Sequence, residues 1–159
     1  MNRPTNRLAP QKANLFDLTH SLRDSVLNAL QDGDLNYSPG GDALSVHRLL
    51  LEQGEIQSAY IRLFRTSELK FDLPAPAGLD TVLALQTWFS GLDTEMWAAL
   101  DALSNDDLDR HIVRGGHTMP LGVTFYTYRE SVFIFAAKAS VYLRSMGREV
   151  PKLVLGFVG

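Results

Sequence analysis

The stretch "YRESVFIFAAKASVYLRSMGREVP", Tyr128 to Pro151, decides the fold. Taken alone, "VFIF" at 132–135 would suit a strand. The wider spacing reads otherwise. Tyr128, Val132, Phe135, Ala139, Tyr142 and Met146 recur at intervals of three and four, and Leu121 and Phe125 extend the stripe upstream. An apolar stripe held for seven turns has the period of a helix. The spacing predicts a helix from about Met119 to Met146, with Thr118 as its cap and Pro120 tolerated in the first turn. Gly147 is the expected C′ residue, and Pro151 blocks resumption.

Working outward, three more helical patterns appear. The first covers roughly 11–31, with Leu15, Leu18, Leu22, Val26 and Ala29 on its stripe, and ends at "DGD" and "SPGG". The second starts near Asp42 or Ser45, either a good N-cap, and runs to about Thr66. Val46, Leu49, Ile56, Tyr60 and Leu63 form its stripe, with Gln53 interrupting it. The prolines of "DLPAPAG" at 72–78 mark a connector. The third runs from about Leu79 to Leu103, and its apolar positions alternate spacings of three and four, as expected between near-antiparallel helices. "SNDDLDRH" can open one short helical turn, with Ser104 as cap and Asp107 three residues on. The fold class is therefore all-α, an antiparallel four-helix bundle forming a single domain over 1–159. Residues 1–10 are expected to be a flexible N-terminus. The apolar tail at 150–159 is too short for another bundle helix and should pack on the bundle or on a partner chain.

Bulk properties narrow the function. The 159 residues carry a net charge of −3, with acidic and basic residues mixed, so nothing favours nucleic acid or an anionic membrane. The absence of cysteine removes disulfides, thiolate catalysis and zinc–thiolate sites, and fits a cytoplasmic protein. "MNRPTNRLAP" has no apolar run and is not expected to be a secretory signal. The longest apolar run, "VFIFAA", is six residues and too short to span a bilayer.

"ASVYLRSMGREVP" at 139–151 resembles the closing motif of the DinB/YfiT-like superfamily. "LSNDDLDRHIVRGGHTMPLG" resembles its run into the last helix, and "ALSVHRLLLEQGE" the opening of its second helix. The resemblance implies a cytoplasmic bacterial four-helix bundle, often a homodimer, with a divalent metal held by three histidines: one on the second helix, two lying four apart on the fourth. Some members use that metal in thiol transfer or isomerisation. Carried onto this chain, the fourth-helix positions fall on Ser131 and Phe135, a following glutamine position on Lys138, and the second-helix position on Glu52. Serine is a poor ligand, phenylalanine is none, and Lys138 places a cation where a cation would sit. The fourth helix contains no histidine at all. The family metal site is therefore expected to be absent, and no cofactor is expected.

The remaining candidates have plainer readings beside the chemical ones. His20 lies off the first helix's stripe and is expected at the surface. His47, beside Val46, could be a slipped version of the family ligand. His111 and His117 lie in the loop before the fourth helix with no third ligand in view. Glu52 and Glu55, three apart, could form a carboxylate pair on one helix face. Trp88, Trp97, Tyr126, Tyr128 and Tyr142 could line a ligand pocket, although aromatics at helical spacing are more often core. Arg144 is expected to pair with a neighbouring carboxylate or carbonyl. Ser131, Phe135, Lys138 and Tyr142 share one stripe, and Glu52 is expected to face it and to approach Lys138, directly or through water.

The expected function is thus a DinB-like bundle that has lost the family metal and has no demonstrable catalysis. It would bind a small ligand in a remnant cleft formed by Glu52, Ser131, Phe135, Lys138, Tyr128 and Tyr142, or bind a partner subunit. The alternative is a metal- or thiol-cofactor-dependent transferase using other ligands. A damage- or stress-response role follows only from the family's name, and the acidic composition argues against direct DNA contact. A two-fold homodimer is expected, because "LLL" at 49–51 and the "LVLGFV" tail exceed what one seam needs.

Overall fold

The structure, a computed structural model, describes residues 6–159 and, among these, the side chains of all but 9–15. Four long helices form the bundle: α1 (Ala9–Asn28), α2 (Val46–Thr66), α3 (Val82–Asp101) and α5 (Leu121–Ser145). Between α3 and α5 lie a short α4 (Asn105–Asp109) and an antiparallel hairpin of β1 (His111–Arg114) and β2 (His117–Pro120). The tail forms α6 (Lys152–Val158). Helix α2 packs against α3 and α5, and α1 packs against α5.

Local chemistry sets these boundaries. The Ser45 hydroxyl accepts from the Arg48 amide and the Thr81 hydroxyl from the Ala84 amide, so each caps its helix. Ser104 and Asp107 form the reciprocal capping box that their spacing predicts. At the end of α5, the Arg148 amide donates to the Leu143 carbonyl and the Gly147 amide to that of Arg144. This paired closure needs a left-handed residue, and Gly147 supplies it at φ 71°.

The stripes of α3 and α5 face the core as their spacing predicts: Leu85, Phe89, Met96, Phe125 and Val132 are all buried. Leu49 and Leu50 are core as well, because α2 meets neighbours on two sides, so "LLL" does not stand surplus as expected. Gly54, in mid-helix, lets Trp88 approach; a Cβ there would sit 2.2 Å from the indole ring. Trp97 is core, against Phe16.

Three expectations are corrected. Helix α5 starts at Leu121, not Met119, and Thr118 caps nothing because it lies in β2. Gly115 and Gly116, both at positive φ, turn the chain between two short strands. A Gly-Gly pair between two such segments is a hairpin signal. The second correction concerns the N-terminus. The Asn6 amide donates to the Leu100 and Leu103 carbonyls, and Leu8 is buried, so residues 6–8 are docked. Residues 1–5 lie outside the described residues, as does the Leu15 side chain. Third, His20 is buried, for reasons given below.

The tail packs on α5 and α1 through buried Val154, and Arg144 donates to the Gly159 carbonyl.

Candidate functional site

Two polar clusters lie inside the bundle. The first is closed. Arg23 on α1, only 1% exposed, places its guanidinium 2.8–2.9 Å from both carboxylate oxygens of Asp93 on α3. It also reaches Asp24 and the Gln57 side-chain oxygen, and its charge lies 4.4 Å from the centre of the Phe89 ring. Gln57 on α2 donates its amide to Asp93. His20 Nδ1 lies 2.9 Å from Asp93, and His20 Nε2 lies 2.6 Å from the Tyr128 hydroxyl on α5. Each of the four bundle helices thus contributes to one network.

The electrostatics follow from burial and pairing. Burial pushes the His20 imidazole down, and the Asp93 hydrogen bond offsets this only in part. His20 is therefore neutral near pH 7, with its proton on Nδ1 toward Asp93 and Nε2 accepting from Tyr128. Burial alone would raise the Asp93 carboxyl, but hydrogen bonds from His20 and Arg23 hold it well below the usual carboxylate range. Burial pushes the Tyr128 hydroxyl far up, keeping it protonated.

The second cluster is open. A cavity of about 130 Å³ lies between α2 and α5. Glu52, Gln53, Ser131 and Lys138 give it polar groups; Leu49, Ile56, Ile134 and Phe135 give it apolar walls. Glu52, Ser131, Phe135 and Lys138, brought to one stripe by sequence reasoning, do meet here. Tyr128 and Tyr142 are elsewhere. Tyr128 belongs to the closed network, and Tyr142 lines a separate apolar crevice and donates to the Leu44 carbonyl.

Few of the cavity's polar groups are satisfied from within. The Ser131 hydroxyl donates to the Tyr128 carbonyl at 2.6 Å. Glu52 and Lys138 form no ion pair with each other or with any other described residue. Both sit at the rim, Lys138 exposed and Glu52 half-buried, so the expected direct approach is not made and water solvates each charge. Gln53 is 2% exposed, and its amide nitrogen has no hydrogen-bond partner. Among the described residues only the Tyr60 hydroxyl shares that condition.

The donor set does not fit the family metal. One carboxylate, a hydroxyl committed to a carbonyl, an amide and an ammonium are a poor set for nickel or zinc. Among the described residues, no three His, Cys, Asp or Glu side chains are placed to hold an ion. His47 donates Nε2–H to the Leu79 carbonyl at 2.9 Å. His111 and His117 stand at opposite ends of the hairpin ladder, opposite Pro120 and Arg114 respectively. Glu55 is no partner for Glu52: it takes both guanidinium nitrogens of Arg48, which pull its carboxyl down, and accepts the Ala75 amide.

Sequence reasoning missed the closed network and left Gln53 as a mere interruption. The signal was present in both helices. Thr19, His20 and Arg23 occupy the same inner arc as Phe16 and Leu27, and Gln53 and Gln57 occupy that of Leu49, Leu50 and Tyr60. A polar residue at an inward register position marks a buried polar site.

Solved structures share this architecture. A DinB-like protein of Bacillus subtilis, YjoA, superposes with a TM-score of 0.71 at 16% identity, covering 87% of this chain and 94% of its own. The fold is DinB-like. A second DinB-like protein, from Bacillus cereus ATCC 10987, covers 87% of this chain and 91% of its own, with a TM-score of 0.66 and 17% identity. A variant of a mycothiol-dependent maleylpyruvate isomerase aligns over 90% of this chain and 67% of its own, with a TM-score of 0.48 and 11% identity. No protein-family model and no curated protein matches the sequence. No described helix of this DinB-like bundle is long and apolar enough to cross a membrane.

Proposed function

We propose that this DinB-like bundle binds a small polar molecule, rather than a metal ion, in the cavity between α2 and α5. The supporting observation is Gln53: a buried amide without a partner, at the wall of a space bordered by a free carboxylate and a free ammonium. An unsatisfied buried polar group costs about 1–3 kcal/mol, and a ligand that draws the Gln53 amide round to the cavity removes that cost. Cytoplasmic action belongs to the same reading and is supported by a chain without cysteine. We also propose a two-fold homodimer, supported by Ile134 and Val141 on α5 and Leu155 and Phe157 on α6, all exposed and apolar. Light scattering checks the dimer.

Melting experiments test the binding reading. A ligand of the native state raises its stability by about 2.7 kcal/mol at a hundredfold excess over Kd. One equivalent of nickel or zinc should leave the melting temperature unchanged. Small polar molecules should raise it, and Ser131→Phe, which fills the cavity, should abolish that rise. A shift of several degrees with one equivalent of either ion would overturn the reading.

A further inference from the structure

We propose that the occupant is a small zwitterion, an α-amino acid with a short aliphatic side chain; this rests on the ligand-binding reading above. Three features of the cavity converge on that class.

Charge comes first. Glu52 on α2 and Lys138 on α5 border the same space, and neither has an ion-pair partner among the described residues. The nearby Arg48 is held by Glu55 and does not neutralise Glu52 directly. A lone anion in the cavity would meet the field of Glu52, and a lone cation that of Lys138. A molecule carrying both charges answers each with its opposite, ammonium toward Glu52 and carboxylate toward Lys138. Gln53 adds a neutral polar side chain at the wall.

Size comes second. A dry cavity of roughly 150 Å³ accommodates benzene, with its six heavy atoms. At about 130 Å³ this one suits a molecule of that order, which is the size of alanine, and a long or aromatic side chain would have to extend out of it.

The walls come third. Leu49, Ile56, Ile134 and Phe135 offer apolar surface beside the polar groups, which suits a methyl or ethyl side chain and disfavours a polar one.

Calorimetric titration of the full chain with four small probes tests this: L-alanine, acetate, ethylammonium and isobutanol. L-Alanine should bind at least tenfold tighter than each of the other three. Glu52→Gln and Lys138→Met should each weaken it tenfold or more. The exchanged pair Glu52→Lys with Lys138→Glu should recover part of the loss, a result that mere damage to the fold would not give. If isobutanol binds as well as L-alanine, the cavity remains a ligand site but the zwitterion assignment fails. Tighter binding of acetate or ethylammonium also overturns it, in favour of a singly charged ligand. If none of the four binds, the ligand-binding reading fails too. The wild-type ranking decides these outcomes even if a variant does not fold.

Discussion

Asp93, between α1 and α3, receives hydrogen bonds from Arg23, His20 and Gln57; Glu52, between α2 and α5, receives none from any described residue. Both are carboxylates on bundle helices, and both have a cation on the facing helix. They differ in their supporting groups. Around Asp93, one arginine, one histidine and one amide meet at hydrogen-bonding distance, and Tyr128 completes the histidine. Around Glu52, the amide has no partner, the hydroxyl is turned to a backbone carbonyl and the lysine stands in solvent. A fully satisfied buried network rigidifies a core, and a half-satisfied one costs stability unless something else completes it. The first cluster explains how the four helices are locked together. The second is where the bundle has chemistry to spare.

The comparison breaks most visibly at Asp93. Asp93→Ala should cost up to about 3–5 kcal/mol, because it takes from buried Arg23 its doubly hydrogen-bonded partner and leaves only the half-exposed Asp24. Denaturant titration measures this. A cost below about 1 kcal/mol would mean that Asp24 and water suffice to neutralise Arg23, and that the two clusters are alike.

His20 gives the network a pH signature. Its folded value lies below the ordinary 6.5, whereas the unfolded chain binds a proton at that value. Stability from neutral His20 is therefore fully present above about pH 6.5 and is lost as pH falls from there toward the depressed folded value. The slope is at most about 1.4 kcal/mol per pH unit between the two values. Comparing wild type with His20→Gln at pH 7.5 and pH 5 isolates the term. Equal pH slopes for the two proteins would show that His20 is charged in the folded state.

These two effects rest on residues whose pairing the sequence conceals. Helix period, caps and the Gly147 closure are local, so the bundle was legible from Tyr128–Pro151 outward. The stripe of Ser131, Phe135 and Lys138 was also legible, because three residues on one helix have fixed relations. Which residues of α1 face α3 and α5 depends on packing. His20 looks peripheral beside Leu18 and Leu22, yet α1 is buried over an arc wide enough to include Thr19, His20 and Arg23. The pairing of Arg23 with Asp93 joins residues 70 apart and left no local trace.

Two glutamines on one helix sharpen the contrast. Gln57 bridges Arg23 and Asp93, so Gln57→Leu should destabilise by about 1–3 kcal/mol. The Gln53 amide nitrogen, one turn earlier, has no partner among the described residues, so Gln53→Leu should be neutral or gain about 1 kcal/mol in ligand-free protein. Opposite signs at positions four apart would be hard to obtain from helix propensity, which hardly separates Gln from Leu. A loss at Gln53 equal to that at Gln57 would show that the Gln53 amide is satisfied after all.

The smallest expected effect concerns the two rim charges. In ligand-free protein, a double-mutant cycle over Glu52→Gln and Lys138→Met should give a coupling below about 0.5 kcal/mol, the scale of independent sites. No direct pair forms, Lys138 is exposed, and water screens both charges. The corresponding cycle at Arg23 and Asp93 should exceed it severalfold, since that pair is buried and doubly hydrogen-bonded. Repeating the Glu52–Lys138 cycle in saturating L-alanine changes the expectation. A zwitterion that touches both side chains couples them through itself, so losing either contact weakens the value of the other. Coupling that appears only with ligand would place the molecule between the two charges. Coupling above about 1 kcal/mol without ligand would mean that the charges already meet through an ordered water, and the cavity would then need no zwitterion to complete it.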